Sequence, residues 1–262
     1  TRYIGVTGVQ TCALPIFMLL TDLGNTTYLK ALTEDNADAL FRDAIAALIT
    51  WQKASRPDVL PPYDRALLQR EMDLFPDWYV GRHLGLTLSD AQREVLAKIN
   101  QLLADSALAQ PPVYVHRDYM PRNLMLSTPN PGVLDFQDAV YGPITYDVAS
   151  LFRDAYLSWP EERVIDWVAR YWEQAKRVQL PVDPDFGAFY RALEWMGLQR
   201  HLKVLGIFAR IHYRDGKPGY LEDTPRFLRY AREVSARYAA LKPLLHLLDE
   251  LEQRSPQVGY TF

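Results

Sequence analysis

The sequence predicts a mainly helical α+β fold in which short strands form small β-hairpins between helical segments. Apolar residues recur every three to four positions before residue 110 and after residue 145, which is the period of amphipathic helices. Between Pro111 and Asp138 the pattern changes to short apolar runs separated by polar loops. The chain has 262 residues, 48% of them hydrophobic, which suits one large globular domain.

Two helices are predicted before the strand region. Apolar residues follow helical spacing from Leu40 to Trp51 and again from Val95 to Leu103. The second helix is preceded by Ser89 and Gln92, a capping-box pattern in which each side chain bonds the backbone amide of the other residue. Both helices are expected to bury one face against a core.

The strands and the later helices are predicted from local signals. Short apolar runs predict strands at Val113–Val115, Leu124–Leu126 and Val133–Leu134, and Pro129–Gly132 has the composition of a turn. Helices are expected at Tyr146–Tyr156, from Pro160 with a Ser158/Glu161 capping box, from Pro184 after Asp183, from Pro225 after Thr224, and over about Lys242–Arg254.

Composition and charge exclude several classes of protein. There are 29 basic and 32 acidic residues, a formal charge of −3, so the chain lacks the positive field that nucleic-acid binding usually needs. The longest apolar stretch, Cys12–Leu20, is nine residues long and contains Pro15, too short to cross a bilayer. A single cysteine excludes an internal disulfide and fits a reducing compartment, so we expect a cytoplasmic protein. No obligatory protein partner is inferred from the sequence.

Residues 1–16 are expected to be foreign to the protein. Reverse translation of Val6–Ile16 gives bases that look like a common sequencing-adapter oligonucleotide. A secretory signal fits less well, because the segment lacks a small-residue cleavage site and contains polar Thr, Gly and Gln. An ordinary apolar N-terminal strand is the alternative. On the adapter interpretation, the natural sequence begins near Phe17, already inside a gene.

The residues with the strongest chemical signal lie between the predicted strands. His116, Asp118 and Asn123 form H-x-D-x-x-x-x-N, and Asp135-Phe136 follows twelve residues after the Asn. Phosphoryl transfer from ATP needs a carboxylate to orient and deprotonate the acceptor hydroxyl, together with an Asn and a second carboxylate to hold Mg²⁺. A loop between strands can present the first two groups, and a following hairpin can bring the last one opposite them. The pattern therefore predicts an ATP- and Mg²⁺-dependent phosphotransferase.

This motif resembles that of the aminoglycoside phosphotransferase and choline kinase superfamily, whose catalytic lobe is similar to that of protein kinases. The strings HRDYMPRNLM, PGVLDFQDAVYGPITYDVASLFRDAYLSWP and EWMGLQRHLKVLGIFAR are similar to one subgroup, the anomeric N-acetylmuramate/N-acetylglucosamine kinases of cell-wall recycling. The resemblance covers about Phe17–Glu252. It implies a protein-kinase-like large lobe, and a kinase that phosphorylates the anomeric hydroxyl of an N-acetylated amino sugar.

The resemblance also implies roles for individual residues. Asp118 would be the catalytic base, and Asn123 and Asp135 would be metal ligands that also contact the nucleotide. Asp147 would be the buried carboxylate that braces the catalytic loop.

Two further loop residues, His116 and Arg122, are predicted to take part in catalysis. Arg122 could pair with the γ-phosphate as a planar cation, or it could brace a carboxylate.

The start of the chain resembles the end of a kinase small lobe. The segment FMLLTDLG is similar to the last small-lobe strand and the hinge whose backbone pairs with adenine, so Leu20, Thr21 and Asp22 are predicted to bind the nucleotide. Residues 17–25 are therefore expected to be a remnant, and residues 26–262 the catalytic lobe. With most of the N-terminal lobe missing, the chain as written is expected to be inactive.

Predicted acceptor residues follow the metal site and lie on a later helix. Gln137 and Asp138 could contact metal or sugar, or could simply cap a turn. Trp195, His201 and Trp172 could form a sugar-stacking wall, although aromatic residues at helical spacing also serve as core.

A basic segment of the sequence indicates which charge the acceptor has. Phe186–Lys217 contains six basic and two acidic residues, a balance of +4 in an acidic chain. Basic residues such as Arg200 would attract a sugar carboxylate and repel a polycationic aminoglycoside. The alternative is that these basic residues form a solvated helix face that contacts no ligand.

Three other classes of protein share features with this sequence. A protein kinase is disfavoured because about ten residues separate Asp135 from the next predicted helix, which leaves no room for an activation segment. An antibiotic-modifying phosphotransferase would share the catalytic residues and differ in its acceptor pocket. A non-catalytic kinase-like fragment stays open because of the expected truncation.

Overall fold

The computed structural model describes residues 21–154 and 156–253. Within this part of the chain the fold is mainly helical, with two small antiparallel sheets, as predicted. The suggested adapter segment, the strand expected at Phe17–Leu20 and the nucleotide contact expected at Leu20 lie outside the described residues. Of the described helices, none combines the length and hydrophobicity needed to cross a bilayer.

Helices account for most of the described chain. They are α1 (Tyr28–Ala31), α2 (Ala37–Lys53), α3 (Arg65–Met72), α4 (Asp90–Leu108), α5 (Tyr146–Phe152), α6 (Glu161–Arg177), α7 (Phe186–Asp215), α8 (Thr224–Arg237) and α9 (Lys242–Gln253). A π-helical segment, Phe75–His83, and two 3₁₀ segments, Pro218–Asp223 and Ala239–Leu241, complete the helical part.

The helix starts differ in how well they were predicted. Ser89 and Gln92 form the expected reciprocal capping box at the start of α4. The capping box expected before α6 is wrong, because the Ser158 hydroxyl bonds the Tyr230 hydroxyl instead of an α6 amide. The start of α7 is shifted two residues from Pro184, since the Asp185 carboxylate caps the amide of Ala188.

Four strands lie in the described part of the chain, and they form two ladders that frame one loop. Strand β1 (Pro112–Val115) pairs with β4 (Val140–Pro143), and β2 (Leu124–Met125) pairs with β3 (Gly132–Val133). The first three strands correspond to the predicted apolar runs, whereas β4 was not predicted. Because β1 and β2 belong to different ladders, the chain between them is anchored at both ends.

The central helix of the core is α7, which packs against the π-helical segment, α4, α5 and α8. Its closest approach is at Gly206, where an added Cβ atom would lie 2.2 Å from the carbonyl oxygen of Leu74. Only a residue without a side chain permits this approach. Helix α7 is thereby fixed across the molecule, and its buried face forms one side of the site described next.

Candidate active site

One buried carboxylate supports the loop that follows β1. Asp147, at the start of α5 and fully buried, accepts hydrogen bonds from the backbone amides of His116 (2.7 Å) and Arg117 (3.0 Å). Burial raises the pKa of Asp147 to about 7, although the hydrogen bonds from the two backbone amides act to lower it. Arg117 has φ 77°, a left-handed conformation that is strained for a residue with a side chain. The two bonds to Asp147 help to hold this turn in place.

The side chain of His116 lies beneath the loop rather than in a cavity. It is 1% exposed, its Nε2 lies 2.9 Å from the carbonyl oxygen of Leu134, and its Nδ1 accepts the backbone amide of Asp118 at 3.3 Å. These contacts define a neutral tautomer with the proton on Nε2. Burial lowers the pKa of His116, which agrees with a neutral ring. The His116 ring therefore supports the loop backbone at Asp118, and its predicted part in catalysis stays a prediction.

Asn123 and Asp135 lie beside Asp118 on the same cavity. The Asn123 amide nitrogen donates to the backbone carbonyl of Asp118 at 3.0 Å and lies 3.5 Å from the Asp135 carboxylate. Asp135 has φ 68°, and its other carboxylate oxygen accepts a bond from Gln137 at 2.8 Å. The sequence motif thus brings these residues together as its spacing predicted.

The oxygen donors of Asn123 and Asp135 fit a magnesium ion. With its nitrogen committed to Asp118, Asn123 has Oδ1 as its acceptor atom, next to a carboxylate. The described residues contain no group of three His, Cys, Asp or Glu side chains able to hold a metal. Magnesium does not require one, because it keeps several waters and binds through one or two protein ligands plus substrate phosphates.

The cavity has a volume of about 940 Å³ and two walls. One wall comes from the β2–β3 hairpin region and the start of the described chain: Thr21, Leu23, Val133, Leu134, Asp135, Phe136 and Gln137. The other is built mainly on α7 and the segments around it: Arg153, Tyr156, Arg200, His201, Lys203, Val204, Ile207, Phe208, Ile211, Tyr220 and Phe227. The loop between β1 and β2 contributes to the same cavity through Asp118, Met120, Arg122 and Asn123.

Four predicted ligand contacts fall outside this cavity lining. Asp22 accepts the amide of Gly24 in a tight turn, and Asp138 is an exposed turn residue. Trp195 packs edge-on against Tyr238. At these three positions the observed contacts of the side chain are local, and the predicted contacts with nucleotide or acceptor stay predictions.

Trp172, the fourth, is also structural. Its indole nitrogen donates to the carbonyl of Asp183 at 2.8 Å, and its ring lies 4.0 Å from the Lys176 ammonium. These contacts join the C-terminal half of α6 to the start of the α7 region.

Arg200 and His201 do line the cavity, although both are nearly buried. The guanidinium of Arg200 donates to the Ser150 hydroxyl at 2.8 Å and lies 4.8 Å from the Tyr146 ring centroid. His201 stacks on Tyr230, and burial lowers its pKa to about 3, so its ring is neutral. Arg200 therefore contributes positive charge to this wall and His201 contributes a flat ring.

A buried carboxylate that sequence reasoning missed connects the wall to the loop. Glu71 of α3, 5% exposed, accepts bonds from Lys203 Nζ (2.8 Å), Arg117 (2.5 Å), Gln199 (3.2 Å) and the Tyr63 hydroxyl. Four donors saturate the lone pairs of one carboxylate. The basic segment of α7 thus contains a cation, Lys203, whose charge is neutralised by Glu71 on α3, a helix distant in sequence. No local pattern around Glu71 indicated this pairing.

The rest of the predicted basic segment divides between cavity and surface. Arg191 is exposed, and Arg214 is exposed and paired with its neighbour Asp215. Of the six basic residues counted there, Arg200 and Lys203 line the cavity. The charge balance of +4 therefore overstates the charge that faces a ligand.

Comparisons with known proteins assign this architecture. Residues 5–190 match the model of the phosphotransferase enzyme family. The chain is 60% identical to an N-acetylmuramate/N-acetylglucosamine kinase of Pseudomonas putida, covering 90% of this chain and 70% of the relative. It is 53% identical to a protein of the same name from Neisseria meningitidis serogroup B, covering 94% of this chain and 75% of the relative.

Solved structures show the same fold at low sequence identity. The structure of a gentamicin complex of APH(2″)-IIa aligns with a TM-score of 0.52 at 17% identity, over 80% of this chain and 69% of that one. An ethanolamine kinase of Plasmodium vivax aligns with a TM-score of 0.53 at 13% identity, over 76% of this chain and 61% of that one. On the extent of the family match and the identity to these relatives, the chain belongs to the phosphotransferase enzyme family.

Proposed function

We propose that the protein is an ATP- and Mg²⁺-dependent kinase that transfers the γ-phosphate to the anomeric hydroxyl of an N-acetylated amino sugar in the cytoplasm. The observation that carries this proposal is the placement of Asp118, Asn123 and Asp135 on one cavity. The substrate class comes from relatives at 53–60% identity named N-acetylmuramate/N-acetylglucosamine kinase.

In this proposal Asp118 orients the acceptor hydroxyl and accepts its proton. The carboxylate lies on a loop whose backbone is fixed by Asp147. The first residue of this loop, His116, is held by a hydrogen bond to the carbonyl of Leu134, just after β3. A base held in one position keeps the acceptor oxygen aligned for in-line attack on the γ-phosphorus. The supporting contacts thus serve positioning, and the proton transfer is assigned to one side chain.

Asn123 and Asp135 would hold the metal. When bound, Mg²⁺ would supply positive charge that stabilises the transition state of phosphoryl transfer. Gln137 donates to Asp135 and so fixes the direction of that carboxylate. Thr21 and Leu23 lie on the cavity wall nearest the hairpin, which fits a nucleotide on that side.

The charge of the helical wall favours a neutral or anionic acceptor. Arg153, Arg200 and Lys203 all line it, and a polycationic ligand would meet repulsion there. This observation disfavours an antibiotic phosphotransferase as the second candidate. A non-catalytic fragment is the other alternative, and intact Asp118, Asn123 and Asp135 count against it for the natural protein.

A competition assay with the full-length natural protein at fixed ATP and Mg²⁺ tests the proposal. N-acetylmuramate, N-acetylglucosamine and kanamycin would be offered as acceptors, and the products tested for a reducing end. Faster phosphorylation of kanamycin than of either sugar would contradict the acceptor class. A phosphorylated product that keeps its reducing end would contradict transfer to the anomeric hydroxyl.

A further inference from the structure

The cavity carries more positive charge than phosphate binding and loop support account for. Four cationic side chains line it: Arg122, Arg153, Arg200 and Lys203. The question is which of them is available to a ligand. The inference that follows rests on the proposed amino-sugar kinase function and concerns the acceptor part of the site.

Three of the four cations already have partners that anchor them. Lys203 is held by the buried carboxylate of Glu71. Arg153 lies 3.6 Å from the carboxylate of Glu161. Arg200 is 8% exposed and donates to Ser150. Their geometry is fixed by the protein, and their charge is partly neutralised or buried.

Arg122 differs in its surroundings. It is exposed, its Nη1 donates to the Tyr156 hydroxyl at 2.8 Å, and its guanidinium carbon lies 5.5 Å from the centre of the same ring. Tyr220 supplies a second phenol that interacts with the same guanidinium. None of the ion pairs among the described residues joins Arg122 to a carboxylate. Two neutral phenols orient this cation and leave its charge uncompensated.

The position of the two phenols indicates which ligand Arg122 faces. Tyr156 follows α5, and Tyr220 packs against Phe208 of α7, so both belong to the helical wall. The metal-ligand pair lies at the hairpin wall, with Asp135 just after β3. The Arg122 side chain is therefore turned toward the helical wall, although its backbone adjoins Asn123.

The helical wall also offers apolar surface next to these groups. Ile207, Ile211 and Phe227 line the same cavity as Tyr220. An acceptor that combines a carboxylate with methyl groups would satisfy both features. A lactyl ether on an N-acetylated sugar has this chemistry: one carboxylate, one lactyl methyl and one acetyl methyl. N-acetylglucosamine has the acetyl methyl alone.

We propose that Arg122, oriented by Tyr156 and Tyr220, binds the carboxylate of an acidic N-acetylated amino sugar and sets the preference between acidic and neutral acceptors. A planar guanidinium with free donors pairs with a carboxylate in a forked geometry. In this arrangement Arg122 contacts the acceptor rather than the γ-phosphate. Its removal then affects one acceptor more than the other.

The test is a specificity ratio, measured on the full-length natural protein. For wild type, Arg122→Gln and Arg122→Lys, kcat/KM is determined for N-acetylmuramate and for N-acetylglucosamine. We expect the acid-to-neutral ratio to fall about tenfold or more in Arg122→Gln, since a hydrogen bond to a charged group contributes on that scale. The acid-to-neutral ratio of Arg122→Lys should lie between those of wild type and Arg122→Gln. The exposed control Arg177→Gln should keep the wild-type ratio. A ratio within twofold of wild type in Arg122→Gln would overturn the proposal and favour a phosphate contact.

A second measurement avoids any dependence on the variant's folding or on turnover. Isothermal titration compares binding of N-acetylmuramate and of its lactyl carboxamide to wild type without ATP. We expect the carboxamide to bind about tenfold more weakly, and equal affinities would overturn the assignment. A wild-type enzyme that binds the acid in preference but phosphorylates neither sugar would contradict the proposed function and leave this assignment supported.

Discussion

The Lys203 ammonium and the Glu71 carboxylate form a buried ion pair, with 2.8 Å between Nζ and Oε1. Lys203 lies on α7 and faces the cavity, whereas Glu71 lies on α3 and also binds Arg117 of the loop. One carboxylate therefore links the cavity wall to the residue that precedes Asp118. The stability of this link can be measured.

Glu71→Gln should destabilise the protein by about 3–5 kcal/mol, because it leaves the buried Lys203 and the half-buried Arg117 without their counter-charge. Urea unfolding at neutral pH measures this change. Glu173→Gln is the matched control: its carboxylate lies 3.7 Å from Arg177 on the exposed face of α6, and such a pair contributes under about 1 kcal/mol. Equal effects of the two substitutions would contradict a stabilising role for the buried link.

The same carboxylate predicts a pH dependence. Burial favours the protonated form of Glu71, but Lys203, Tyr63 and Arg117 outweigh burial and lower its pKa from 4.5 to about 2. Because the folded pKa lies below the unfolded one, the contribution of Glu71 is complete above about pH 4.5 and is lost as pH falls toward 2.

The measurement is the difference in unfolding free energy between wild type and Glu71→Gln across that pH range. We expect the difference to shrink by roughly 3 kcal/mol from pH 4.5 to 2. A difference that stays constant would show that Glu71 titrates alike in the folded and unfolded protein.

Asp118→Asn should reduce turnover by about 10² to 10⁴, the range for loss of a positioned general base. Its unfolding free energy should change little, because the side chain is only partly buried. Asp138→Asn is the control, since Asp138 is exposed and lies outside the cavity lining. Steady-state kinetics separate the two variants, and near-normal turnover in Asp118→Asn would contradict its proposed catalytic role.

Two glycines on α7 should respond oppositely to alanine. In Gly206→Ala the new Cβ would meet the Leu74 backbone at 2.2 Å, so we expect a loss of about 1–3 kcal/mol or more from overpacking. In Gly197→Ala the nearest atom lies at 3.8 Å, an ordinary contact, and helix propensity should add up to about 1 kcal/mol of stability. Thermal unfolding of both variants measures these changes in stability. A stable Gly206→Ala variant would mean that α7 can move away from the π-helical segment.

The loop that carries Asp118 and Asn123 could be predicted from sequence because its residues are close along the chain. The spacing of Asp118, Asn123 and Asp135 between short apolar runs places all three near one another in any hairpin arrangement. Strand β4 was missed because Gly142 and Pro143 interrupt its pattern. The π-helical segment contains Pro76 and Gly81, which indicate a loop when read locally.

The opposite wall could not be predicted, for a different physical reason. Glu71 lies in a short helix in which half of the residues are polar, and a carboxylate in such a helix is normally expected to be solvated. Its four donors come from the loop, α7 and Tyr63, so its burial depends on long-range packing. Net charge along α7 was equally uninformative, since it does not distinguish buried Lys203 from exposed Arg214.

Helix α7 has a consequence for how this site can change during evolution. Arg200 contacts the carbonyl of Arg117, and Lys203 shares Glu71 with the same residue, so the helix supports the loop with the residues that also line the cavity. Substitutions at these two positions would alter ligand shape and loop geometry together. Diversification among descendants is therefore expected first at Ile207 and Ile211, which contribute apolar lining one and two turns further along the helix.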